Sequence, residues 1–134
     1  MDEVLLLTGL LAAGIRLATP IALAAIGETL AQRSGVINVG LEGIMLVGAF
    51  VAVLFTVASG NPWIGLLAAV VAGALMGALH AYFTVRLKVE QIVSGIALLF
   101  LGLGLSGYGF RLTLAQGGEA VKVPGFTEID LFGL

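Results

Sequence analysis

Residues 41–85 read LEGIMLVGAFVAVLFTVASGNPWIGLLAAVVAGALMGALHAYFTV, and Glu42 is the only Asp, Glu, Lys or Arg among them. Two apolar runs, residues 41–59 and 63–87, lie on either side of Gly60-Asn61-Pro62. At about 1.5 Å per residue, each run is long enough to cross a hydrocarbon core of roughly 30 Å as a helix. Barrel strands would alternate in polarity, which these runs do not. The stretch therefore predicts a helical membrane protein.

The composition of the whole chain agrees with this prediction. Of its 134 residues, 60% are hydrophobic and 10% are charged, and the mean hydropathy is +1.16. A soluble domain is about one quarter charged. The net charge of −2 gives no indication of a nucleic-acid partner. The chain has no cysteine, which excludes disulfides and thiolate metal sites.

The sequence predicts an all-α integral membrane fold with about four transmembrane helices. The first hydrophobic segment contains Arg16 and Pro20 and is too long for one upright helix. It is either a tilted or bent helix, or an interfacial piece up to Arg16 followed by the span proper. We place the spans at residues 4–31, 41–59, 63–87 and 92–112 of a single domain, and an extramembrane loop or tail at 113–134.

The basic residues in the short loops predict how the chain is oriented. Arg33 lies between the first two spans, and Arg86 and Lys88 lie between the last two. Cytoplasmic loops carry an excess of Lys and Arg. We therefore expect these two loops in the cytoplasm and both the N-terminus and the tail outside, although Arg111 and Lys122 also fall on the outer side.

Small residues recur at every fourth position of the third segment. They are Ala69, Gly73, Gly77 and Ala81. Such a row lets the backbones of two membrane helices approach closely, so it predicts a helix-packing face. A glycine-lined permeation path is the alternative.

The segment SGVINVGLEG, residues 34–43, holds three glycines and Asn38 between apolar neighbours. Non-helical backbone at membrane depth is tolerated where it is buried in protein or lines a cavity, and transporters place binding sites on such broken helices. A cytoplasmic turn between two helices would use the same residue types. Both interpretations remain open, and in the first Asn38 is a candidate group of a solute path.

Two acidic residues and one histidine stand out among the apolar segments. Glu28 is either an interfacial carboxylate paired with Arg33 or a path-lining group. Glu42 either pairs with Arg33 or a helix N-terminus, or lines the path. His80 has no second histidine and no acidic neighbour at helical spacing, so a helix–helix hydrogen bond is expected and a metal site is not.

Three stretches carry a resemblance to a known family: AIGETL at 25–30, RSGVINVGLEGIMLVGA at 33–49 and KVEQIVSG at 88–95. They resemble permeases of ABC-type importers for branched-chain amino acids, simple sugars and nucleosides. The sequence around Glu42 is most similar to that of the nucleoside permeases. Ribose-type relatives carry GGIDLSVG here and amino-acid relatives carry NFAHG, and this chain has neither.

The resemblance implies a permease subunit that moves nucleosides or related simple sugars inward across a bacterial cell membrane. It implies a separate ATP-binding subunit, a second related permease subunit and an extracytoplasmic solute-binding protein, and no cofactor. Permeases of this kind are longer, so we expect the chain to be an N-terminal part that lacks the ATPase-coupling segment. Asn38, Glu42 and Glu28 are then the candidate residues of the substrate path.

Two other functions compete with this one. A small proton-coupled secondary carrier would use Glu28 or Glu42 as its proton site. A purely structural membrane subunit would tolerate loss of Asn38 and Glu42. The sequence contains no nucleophile–base pair, phosphate-binding loop or paired catalytic carboxylates, and so it does not predict an enzyme.

Overall fold

The computed structural model describes residues 2–115 and 122–126. These residues form helices and connecting segments and no strand, and the chain divides into two compact units, Met1–Asn38 and Val39–Leu134. Four helices are long and apolar enough to cross a membrane, which confirms the prediction of an all-α membrane fold. They are α1 (Asp2–Arg33), α2 (Leu41–Ser59), α3 (Pro62–Ala81), which continues as a π-helical turn (Tyr82–Arg86), and α4 (Gln91–Thr113). Much of the predicted tail, at 116–121 and 127–134, lies outside the described residues.

The helix α1 runs without a break through Arg16 and Pro20. Proline has no N–H to donate to the carbonyl of Arg16, yet the helix continues on both sides. The Thr19 hydroxyl donates to the Ile15 carbonyl at 2.7 Å, a side-chain bond just before the missing one. At 32 residues the helix is about 48 Å long, more than the roughly 30 Å of a hydrocarbon core. This length requires the helix to tilt or to extend beyond the hydrocarbon core.

A two-residue connection joins α2 to α3. Gly60 adopts the left-handed conformation (φ 68°), and its N–H donates to the Thr56 carbonyl at 2.9 Å. The Asn61 side chain then accepts from the Trp63 amide at 2.9 Å and caps α3. Pro62 occupies the first helical position, where no intrahelical N–H bond is needed. The Gly-Asn-Pro sequence thus ends one helix and starts the next.

In the second unit, α2 packs against both α3 and α4. Three buried side chains form its core: Val47 of α2, Met76 of α3 and Leu98 of α4. The partly buried side chains around them are Ile44, Val51, Ala72 and Leu79. Most other large apolar side chains point outward, which suits helices whose solvent is lipid.

Glycines bring the backbone of α2 close to those of α3 and α4. A Cβ placed on Gly43 would lie 2.5 Å from the Leu98 carbonyl oxygen, and a Cβ on Gly102 would lie 2.5 Å from the Gly43 Cα. On the α3 side, a Cβ on Gly65 would lie 2.5 Å from the Ala52 carbonyl oxygen. Real side chains do not fit at such distances, so these contacts require glycine.

The row of small residues on α3 is less tightly packed than these glycines. A Cβ on Gly73 would make an ordinary contact of 3.8 Å with Ile44, and the Ala69 carbonyl lies 3.9 Å from a Cβ placed on Gly48. Gly77 has no described neighbour within 4 Å of such a Cβ, and Ala81 is exposed. The first half of the row, Ala69 and Gly73, thus faces α2. A role for the whole row in close helix packing remains a prediction.

Candidate functional site

The glycine-rich segment begins with a tight turn that ends α1. Gly35 has a φ of 84°, in the left-handed region. Its N–H donates to the Gln32 carbonyl at 2.9 Å, and the N–H of Val36 donates to the Ala31 carbonyl at 3.1 Å. These two bonds form the Schellman motif, in which glycine is favoured because a Cβ disfavours this conformation. The chain therefore turns back along the last turn of α1 before it goes on to Asn38.

The carboxylate of Glu28 holds the next part of this segment. Its Oε1 accepts from the Asn38 backbone amide at 3.1 Å and from Gln32 Nε2 at 3.0 Å. Its Oε2 is buried and has no hydrogen-bond partner among the described residues. Within residues 2–38 the carboxylate makes no ion pair with Arg33, which was one of the two interpretations of Glu28.

Asn38 lies at the end of a short non-helical stretch, residues 36–38. It is half-buried, and its amide is bonded to Glu28. Three main-chain amides, those of Gly35, Val36 and Asn38, are thus all satisfied by groups of the last turns of α1. Non-helical backbone can exist at membrane depth only when its polar groups find such partners.

The following residues, Val39 and Gly40, pack on α4 instead. A Cβ placed on Gly95 would lie 2.9 Å from the Gly40 amide nitrogen and 2.9 Å from the Val39 Cβ. A Cβ on Gly40 would lie 2.5 Å from the Gly95 carbonyl oxygen. Gly95 and Gly102 are seven residues apart, two helical turns, and so lie on one face of α4. That spacing is the signal in the sequence that could have predicted this packing face.

Glu42 lies in the first turn of α2 and is exposed. Its negative charge is favourable there because a helix N-terminus carries a partial positive charge. No basic side chain pairs with it within residues 39–115 and 122–126, and it borders a shallow apolar groove with Met45, Leu46 and Ala49. An acid on such an apolar helix needs water, a headgroup or a partner beside it.

His80 and Ser94 join α3 to α4, as the sequence predicted for the histidine. His80 Nδ1 lies 3.1 Å from Ser94 Oγ, and the two residues are 3% and 4% exposed. The Thr84 hydroxyl in the π-helical turn donates to the His80 carbonyl at 2.9 Å. Among the described residues no three His, Cys, Asp or Glu side chains lie close enough together to hold a metal ion.

Comparisons with known proteins identify related sequences for almost the whole chain. Residues 10–129 match the family described as branched-chain amino acid transport system / permease component. The chain is 36% identical, over 99% of its own length and 46% of the relative's, to the guanosine ABC transporter permease protein NupQ of Bacillus subtilis. No solved structure matches the chain.

Two further relatives show the same kind of similarity. The chain is 41% identical to a putative glucose ABC transporter permease protein of Haloferax volcanii, over 75% of the chain and 30% of the relative. It is 37% identical to the nucleoside ABC transporter permease protein NupC of Lactococcus lactis, over 74% of the chain and 33% of the relative. The chain therefore spans less than half the length of each of these relatives.

Proposed function

We propose a transport function for this chain, which belongs to the permease-component family of branched-chain amino acid transport systems. Residues 10–129 match that family. The chain forms part of the membrane path of an ATP-driven importer for nucleosides or related simple sugars. The observation that carries this proposal is the similarity over 99% of the chain to a guanosine permease protein. The four apolar helices supply the spanning elements that a multi-pass permease needs.

The solute path includes the segment that contains Asn38 and Glu42. This segment interrupts the helices, and transporters place binding sites at interrupted helices. Asn38 offers an amide with both donors and an acceptor, and ionised Glu42 offers acceptors for hydroxyl or amine groups. Ribose hydroxyls and base edges present the complementary groups. Glu28 lies on α1 and is joined to this segment by its hydrogen bond from the Asn38 backbone amide.

Weak contacts suit this role better than a tight site. A path must release the solute after each step, so a deep free-energy minimum along it would slow transport. Selectivity then rests with an extracytoplasmic solute-binding protein, and the energy comes from a separate ATP-binding subunit. A second related permease subunit completes the path, and the complex resides in a bacterial cell membrane.

Uptake by the purified complete complex in liposomes tests this function. We expect accumulation of labelled nucleoside only when ATP is inside the vesicles and the binding protein is outside. Accumulation driven by a proton gradient without ATP would instead support a proton-coupled carrier that uses Glu28 or Glu42. Comparing labelled guanosine with labelled glucose in the same vesicles identifies the preferred solute class.

A further inference from the structure

Two of the places at which the segment 34–38 is bonded to α1 use different kinds of group. The first place is the Schellman turn, in which main-chain carbonyls of α1 accept from Gly35 and Val36. The second is the Glu28 carboxylate, which accepts from the Asn38 amide ten residues further along the chain. Only the second depends on the identity of a side chain on α1.

The bond from Glu28 joins the Asn38 backbone amide to a side chain of α1. The bond lies two residues beyond Val36, whose amide makes the last bond of the Schellman motif. A hydrogen bond to a carboxylate contributes about 1.5–3 kcal/mol, more than one between neutral groups. It is therefore strong enough to select one conformation of a short non-helical stretch.

The geometry of the carboxylate separates this role from contact with the solute. Glu28 Oε1 already accepts two hydrogen bonds from the chain itself, from Gln32 and from Asn38. Its Oε2 is buried among protein atoms. A group that lines an open path would instead present its oxygens to the solvent.

From this we infer that Glu28 is a positioning residue: it fixes the backbone of Asn38 on α1 and acts on transport through Asn38. Its effect on transport rests on the proposed function, whereas the bond itself does not. The bond needs an acceptor oxygen, which a neutral amide also supplies. Glu28→Gln keeps that oxygen, and Glu28→Ala removes it.

Hydrogen–deuterium exchange at single amides of the complete complex tests the bond directly. In Glu28→Ala the Asn38 amide should exchange at least roughly tenfold faster, since it loses its acceptor. The Val36 amide, bonded to Ala31, should stay protected and serves as the internal control. Gln32→Ala removes the other donor to Oε1 and should leave Asn38 protected, and Glu28→Gln should restore protection. Unchanged exchange at Asn38 in Glu28→Ala would overturn the inference.

A double-mutant cycle tests whether Glu28 acts through Asn38. If it does, Glu28→Ala slows transport in the wild-type background and adds no further loss once Asn38→Ala is present. Multiplying losses would show that Glu28 acts independently and would overturn the positioning role. Wild-type transport by Asn38→Ala would refute the proposed path and with it the transport part of the inference, while the exchange measurement still decides the bond.

Discussion

Gly43 of α2 and Gly102 of α4 meet backbone to backbone: a Cβ placed on Gly102 would lie 2.5 Å from the Gly43 Cα. Neither residue has a side chain that could pack, so the contact consists of main-chain atoms alone. Such contacts compensate for the absence of a hydrophobic driving force between helices in lipid. This contact fixes the first turn of α2, which contains Glu42, against α4.

Alanine at this contact should destabilise the protein. We expect Gly102→Ala to lower the free energy of unfolding by about 1–3 kcal/mol, because a methyl group there overlaps Gly43. Gly104→Ala, on the same helix with no described atom within 4 Å of the added Cβ, is the matched control and should be neutral or slightly stabilising. Thermal unfolding of the purified complex measures both. Equal midpoints for the two variants would contradict the packing.

The hydrogen bond between His80 and Ser94 should contribute to stability. Ser94→Ala removes the hydroxyl beside a buried imidazole nitrogen and should cost about 1 kcal/mol or more. Ser106→Ala is the control on the same helix, because its hydroxyl bonds to its own helix at Gly102. Thermal unfolding again provides the measurement. A Ser94→Ala protein as stable as Ser106→Ala would show that the pair makes no net contribution.

Bulk on the small-residue face of α3 should reduce assembly. Gly73→Leu brings a large side chain towards Ile44 and should lower the yield of folded complex, whereas Val71→Ile, at an exposed position, should be tolerated. Gly77 has open space beside it among the described residues. A loss with Gly77→Leu as well would indicate that another part of the complex covers this position, and tolerance at both glycines would mean that the face is exposed to lipid.

The orientation of the helices can be measured in this cysteine-free chain. Single cysteines can replace Asn61, in the connection before α3, and Glu90, in the connection before α4. These two positions lie at opposite ends of the span formed by α3 and its π-helical turn. An impermeant thiol reagent on intact cells should label position 61 and spare position 90, because the Arg86 and Lys88 loop is expected to be cytoplasmic. Replacing Glu90 leaves those basic residues in place. The reverse labelling pattern would show that the orientation is inverted.

Hydropathy was sufficient to predict the helices, and local chemistry was sufficient for the connection at Gly60-Asn61-Pro62. In contrast, the contact of Gly43 with Gly102 depends on which face of each helix turns inward. In lipid-facing helices the outer face is as apolar as the inner one, so hydropathy carries little of that information. The spacing of the glycines at 95 and 102 can be recognised in the sequence, but the residues of α2 that contact them cannot be predicted from it.

The candidate site divides in the same way. The residue types of segment 34–43 indicated an interrupted helix, and Gly35 was available for a left-handed turn. The hydrogen bond from the Asn38 amide to Glu28 could not be predicted from the sequence, because it depends on how a non-helical stretch folds back along α1. Charge suggests Arg33 as one candidate partner of Glu28, whereas in the structure the carboxylate accepts from an amide ten residues away.

The most direct measurement of the central claim is the ATP-driven uptake rate of the complete complex that carries Glu42→Gln. This substitution keeps the shape of the side chain and removes its charge. If Glu42 lines the solute path, uptake should slow by about fivefold, as expected for the loss of a contact worth about 1 kcal/mol. The ratio of nucleoside to sugar uptake should be unchanged, because the binding protein selects the solute. Normal assembly with wild-type uptake would contradict the account and would leave Glu42 as a residue that only stabilises the start of α2.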